Sequence, residues 1–253
     1  MSLTFIDSTR LHHREAGLTE PSGLSIRDDS SFFVVSDDTS ALFAVHADGR
    51  ILSRQEIAHE VQDLEGVEYD PERQRLLVLS EKMRAIIDID PDSGQTNTIH
   101  PISGVTGGAG IRLGEDGPEG LAIGREGEVL VLIEYPPQLV RISPELTKVL
   151  EVVSLDAGVG FASSVARRTD GSGLAYDRTR DALWILSDTG KAVFFRPVDG
   201  EVFLRFELVF SDESERVSRV HNSEGIAVSK DGTMLFVATD DGKSSRLLKY
   251  HIK

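Results

Sequence analysis

Five carboxylates, Asp37, Glu81, Glu134, Asp188 and Asp240, each follow within a residue or two of the end of a short apolar run. About fifteen residues ahead of each stands a phrase of acid or serine, glycine, then an aliphatic residue. Its copies are Ser22-Gly23-Leu24, Glu65-Gly66-Val67, Glu119-Gly120-Leu121, Ser172-Gly173-Leu174 and Glu224-Gly225-Ile226, with glycines 43, 54, 53 and 52 residues apart. If the fold gathers these acids, mutual repulsion in a partly dry site forbids full ionisation unless protons or a cation compensate. The chain has no Cys, so the donors are hard oxygens, the set that suits calcium first and magnesium second. The expected metal ligands are Glu65, Glu119 and Glu224. Asp37, Glu81, Glu134, Asp188 and Asp240 stand behind them, either as additional ligands or as acceptors for backbone amides that knit the repeats together.

Other groups could add chemistry around such an ion. His221 lies three residues before Glu224 and is the candidate general base toward a metal-bound ester, phosphoester or lactone. Arg112, Arg167, Arg168 and Arg219 fall in three long connections, Gly107 to Arg112, Phe161 to Arg168 and Ser211 to Asn222. There they would bind an anionic substrate, or simply offset the carboxylates. His59, six residues before Glu65, reads as an ordinary surface group, and the adjacent His12 and His13 would point to opposite faces of a strand. No Gly-x-Ser-x-Gly elbow occurs, and Gly107-Gly108-Ala109-Gly110 lacks the spacing of a dinucleotide fingerprint, which disfavours serine-nucleophile and NAD chemistry.

The elements that must position these residues are β-strands. Each repeat begins with a short apolar stretch, turns, and enters a second run such as Phe32-Phe33-Val34-Val35 or Leu183-Trp184-Ile185-Leu186, too short for a helix. A third, more amphipathic strand follows, then in four repeats a fourth. The fifth repeat stops after its third strand, whereas Leu3-Thr4-Phe5-Ile6 precedes the first repeat and supplies the missing one. A repeat near 50 residues with this order predicts an all-β, five-bladed β-propeller closed by the N-terminal strand, which leaves no open sheet edge. The blades fall near residues 20–62, 63–116, 117–170, 171–221 and 222–253 with 3–10, one domain over 1–253. The first strand of each blade lines the central channel.

Composition narrows the partners. Lys plus Arg number 27 against 42 Asp plus Glu, a net charge of −15, which argues against nucleic acid and suits cations. The expected partner is a small anionic ligand or another protein, and the chain reads as a monomer. No apolar run reaches membrane-spanning length, and the opening residues carry no signal-peptide pattern. A cytoplasmic location follows, or a periplasmic one if a leader has been removed.

The repeated Ser/Glu-Gly-Leu strand, the strand ends Val78-Leu79-Ser80-Glu81 and Ile185-Leu186-Ser187-Asp188, and the five-unit length resemble the SdiA-regulated family of bacterial propellers. That resemblance covers essentially the whole chain and implies a five-bladed, calcium-associated propeller of unsettled activity, often periplasmic or membrane-anchored. The Glu-Gly element is also similar to the metal-binding Glu of gluconolactonase-like propellers and, more loosely, to phytase-like esterase domains. Ser22 and Ser172 depart from an all-Glu ring. Two functions are therefore expected: a calcium-dependent hydrolase of an anionic ester, phosphoester or lactone at the channel mouth, or a non-enzymatic calcium-stabilised scaffold.

Overall fold

The second strands are apolar on both faces because both faces are buried. In the computed structural model, Phe33 and Val35 pack toward the following blade, while Phe32 and Val34 pack toward the preceding one. Leu77 and Leu79 likewise face forward and Leu76 and Val78 backward. Every blade thus lends one set of alternate residues to each neighbour, and five apolar clusters fill the five interfaces between blades. The structure describes residues 1–58, 61–114, 116–156, 160–161, 169–211 and 216–253, with Ala109 described in its backbone alone.

Strand β1 (Leu3–Arg10) opens the chain. Blade one contains β2 (Pro21–Asp28), β3 (Ser31–Ser36), β4 (Ala41–His46) and β5 (Ile51–Glu56). Blade two contains β6 (Leu64–Asp70), β7 (Arg75–Ser80), β8 (Ala85–Ile89) and β9 (Thr96–Pro101). Blade three contains β10 (Pro118–Ile123), β11 (Val129–Ile133), β12 (Gln138–Ile142) and β13 (Val149–Ser154). Blade four contains β14 (Gly173–Asp177), β15 (Ala182–Ser187), β16 (Ala192–Pro197) and β17 (Leu204–Glu207). A hairpin of β18 (Val209–Ser211) and β19 (Val217–Arg219) leads to blade five, which contains β20 (Ser223–Val228), β21 (Met234–Thr239) and β22 (Arg246–Ile252). All five blades are antiparallel four-stranded sheets, and β1 is the outer strand of the last, paired to β22 from Leu3↔Ile252 to Arg10↔Arg246. The fold is a five-bladed β-propeller, closed as its sequence predicts.

One connection differs from expectation. The stretch from Ser211 to Asn222 reads as loop, yet β19 lies within it and pairs with β18 at its start. Three-residue strands are too short to leave a period in the sequence. Tertiary contacts hold them instead: the Tyr250 hydroxyl donates to the Val209 carbonyl at 3.1 Å, and the Arg246 guanidinium lies 5.8 Å from the Phe210 ring centroid.

Candidate functional site

At the axis, the glycine of each repeat is a packing requirement. A Cβ on Gly23 would sit 2.8 Å from the Glu65 carbonyl oxygen and 2.9 Å from the Val67 amide nitrogen of the next blade. One on Gly120 would meet the Leu174 nitrogen at 2.9 Å, and one on Gly225 the Leu24 nitrogen at 3.0 Å, which closes the ring. No side chain fits there without moving backbone. The acid or serine beside the glycine sits at a break in register. In four blades the pairing of first and second strand shifts between Pro21 and Leu24, Leu64 and Gly66, Pro118 and Gly120, or Ser223 and Ile226. Such bulges re-aim a side chain.

Glu65, Glu119 and Glu224, half-buried, line one cavity of about 290 Å³ at this mouth. Asp37, Glu134, Asp188 and Asp240 join them on its wall, together with Glu20 and Asp170, so nine carboxylates face one space. No Lys, Arg or His lines it among the described residues. The two serines of the ring bridge blades: Ser22 Oγ donates to the Leu64 carbonyl, and Ser172 Oγ donates to the Ser223 carbonyl at 2.7 Å. Each thereby fixes the backbone just ahead of Glu65 or Glu224.

Electrostatics follow from this crowding. Burial first, then the charges of Asp37, Asp63, Glu81 and Glu134, push Glu65 up to about 8. Burial and the neighbouring Glu20 and Asp240 charges push Asp37 up to about 7. Glu119 is held well above the usual carboxylate range by burial and then by Glu65, Glu134 and Glu224; Glu224 is held there by burial and then by Asp188 and Glu65. Glu81 and Asp240 also rise, burial leading in both.

The outer acids divide by role. Glu81 accepts the Gly117 amide of the next blade at 2.9 Å, and Asp188 accepts the Ser223 amide at 3.3 Å and pairs with Lys191 at 2.7 Å. These two knit blades together. Asp240 accepts the Gly242 amide at 3.3 Å. Asp37 differs, because its Oδ1 is buried with no hydrogen-bond partner.

Sequence reasoning overlooked Glu20, Asp38, Asp63 and Asp170. Asp63, Glu65 and Glu81 bring one carboxylate oxygen each within 4.8 Å of one another, as do Glu20, Asp37 and Asp38. Glu20, Asp63 and Asp170 all stand two residues ahead of the repeat's acid or serine, and Glu20 and Asp170 supply acid where Ser22 and Ser172 replace Glu. That complementarity is a legible signal. The strand-end serines hold these segments: Ser36 Oγ donates to the Glu20 carbonyl at 2.8 Å, and Ser187 Oγ donates to Asp170 Oδ1 at 2.6 Å.

The described cationic candidates do not line this cavity. His221 is exposed and does not line the cavity. Arg219 is exposed on β19, 3.6 Å from Glu207, and Arg112 lies in a loop where its amide donates to Gln138 Oε1 at 2.7 Å. Neither lines the cavity. Arg167, Arg168 and His59 lie outside the described residues.

Comparison with known proteins agrees with this architecture. A family model described as SdiA-regulated matches residues 7–239, and the chain belongs to that family. No curated protein sequence matches significantly. Among solved structures, the Myxococcus xanthus glutaminyl cyclase aligns over 99% of this chain and 96% of its own at 12% identity, with a TM-score of 0.66. The PQQ-bound aldose sugar dehydrogenase of Streptomyces coelicolor covers 100% of this chain and 98% of its own at 14% identity (TM-score 0.56). The virginiamycin B lyase of Staphylococcus aureus covers 100% of both chains at 12% identity (TM-score 0.55). At such identities the likeness is one of fold.

Proposed function

We propose that this member of the SdiA-regulated family binds calcium at the acidic mouth of its channel. One observation carries the reading: nine carboxylates face a single space that no cationic side chain lines among the described residues. Protons can discharge such a site only partly at neutral pH, since Glu65 titrates near 8 and Asp37 near 7. A divalent ion adds counter-charge where protons leave carboxylates ionised.

The residues fit the ion. All donors are hard oxygens, as calcium prefers, and the buried Asp37 Oδ1 has no partner within the protein. Glu65 would hold the ion with Asp63 and Glu81, whose oxygens lie within 4.8 Å of one another and of its own, and Glu119, Glu224 and Asp37 on the cavity wall would be further oxygen donors. When bound, it would supply counter-charge that locks the inner strands, and a Lewis-acidic centre for any anionic ligand that reaches it. Magnesium is the weaker fit, because it demands stricter octahedral geometry than a ring of nine acids offers.

Between a hydrolase and a binding scaffold, the placement of cations favours the scaffold. Hydrolysis of an anionic ester, phosphoester or lactone calls for a base and an anion clamp at the same mouth, and among the described candidates His221, Arg112 and Arg219 do not line it, while Arg167 and Arg168 lie outside the described residues. Equilibrium dialysis of metal-free protein against calcium tests the proposal. Saturable uptake, weakened about tenfold or more by Glu119→Gln through loss of a charged ligand, is the expected result. Absence of saturable uptake by the wild-type protein would overturn it.

A further inference from the structure

The channel has a second chamber. Below the glycine ring it narrows to a neck of about 10 Å³ of free space, then widens into a cavity of about 400 Å³ at the opposite mouth. Three residues beyond the acid or serine, the first strands carry Ser25, Ala175 and Ala227, and these small side chains leave the room. The walls are Ile26, Ile123, Ile226 and Val228 with the rings of Tyr69 and Tyr176. Only one carboxylate points in from this level of the strands: Glu68, which accepts Ser25 Oγ at 2.9 Å.

The rim, unlike the acidic mouth, carries cations beside its carboxylates Asp70 and Glu72. Arg27, Arg178 and Lys230 surround it. Glu72 answers Arg178 at 3.4 Å, and Asp70 is engaged by Arg73 at 3.2 Å and Arg75 at 3.4 Å. Arg27 and Lys230 form no ion pair among the described residues, and both side chains are exposed. The Arg27 guanidinium lies 5.6 Å from the Phe33 centroid, and Phe33 packs edge-on against Tyr69 at 5.5 Å. Lys230 rides a tight turn in which Ser229 Oγ donates to Asp231 Oδ1 at 2.6 Å and Gly232 adopts φ +70°.

We infer that this chamber binds a small amphipathic anion: an apolar ring or chain against the isoleucines and tyrosines, a hydrogen-bond donor toward Glu68, and an anionic group between Arg27 and Lys230. A volume near 400 Å³, apolar walls and a few convergent polar groups are the attributes of a small-molecule site. The pairing of an apolar floor with cations held at the rim selects against neutral and cationic ligands. Burial pushes Glu68 up to about 7, against hydrogen bonds from Ser25 and the Ile123 amide, so near neutrality it alternates between acceptor and donor.

The probe is 8-anilinonaphthalene-1-sulfonate, which carries rings, a secondary amine and a sulfonate. Titrated into native full-length protein, it should give saturable fluorescence enhancement at one site per chain. The double variant Arg27→Glu/Lys230→Glu changes only exposed side chains, and should weaken binding about tenfold or more by charge reversal. Lys148→Glu, exposed just ahead of β13, should leave it unchanged. Ala175→Trp, where it folds with an unaltered circular dichroism spectrum, should abolish it by filling the chamber. Excess calcium should not displace the probe, because the neck separates the two mouths. Non-saturable binding, equal affinity in the double variant, or displacement by calcium would each overturn the assignment.

Discussion

At the residue scale the protein stores repulsion in a handful of side chains and needs a counter-charge to release it. Raised carboxylates such as Glu65 and Asp37 bind protons more tightly folded than unfolded, so between their unfolded values and about 7 to 8 the native state holds the extra protons. Stability of the metal-free protein must then fall as pH rises across that window. Calorimetric melts of metal-free protein should show a lower Tm at pH 8 than at pH 5, and saturating calcium should flatten or reverse that slope; a metal-free Tm that rises from pH 5 to pH 8 would show these acids to be ordinary. His221→Ala should leave calcium affinity within about twofold of wild type, since surface substitutions away from a site act weakly. A large loss in dialysis would bring that histidine into the site. The acid column was legible in sequence because it recurs once per blade. Whether Arg112, Arg219 and His221 would reach the mouth was not legible, because their placement answers to non-local packing that no spacing records.

At the scale of elements, the glycine ring and the closing strand hold the site together. Gly23→Ala should destabilise by about 1 to 3 kcal/mol, the usual cost of overpacking, because its Cβ would strike the backbone of β6 at Glu65 and Val67. Gly104→Ala is the control, since the nearest atom to its Cβ is 3.9 Å away and its φ is not positive. Comparable Tm losses for both would deny the close approach. Deleting residues 1–10 uncovers the full edge of β22, and should shift elution in size-exclusion chromatography toward larger species than the full-length protein through self-association at that edge. Strand order and closure were readable from the apolar runs, because alternate residues serve two interfaces and every second strand is therefore hydrophobic throughout. The β18–β19 hairpin was not, since three-residue strands owe their pairing to Tyr250 and Arg246 on another element.

Over the whole molecule, charge is arranged along one axis: a mouth of nine carboxylates, a neck of backbone, then a chamber rimmed by Arg27, Arg178 and Lys230. The net charge of −15 would favour approach of divalent cations to the first mouth, an attraction that weakens with added salt. The enzymes that share the fold at 12 to 14% identity lend this chain no activity, because the likeness is one of fold. The most direct test is calorimetric titration of metal-free protein with calcium near pH 7 in two buffers of different ionisation enthalpy. The carboxylate ring predicts saturable binding whose heat differs between the buffers, because protons held by Glu65 and its neighbours leave as the ion enters. Saturable heats identical in both buffers, or no saturable heat at all, would contradict it.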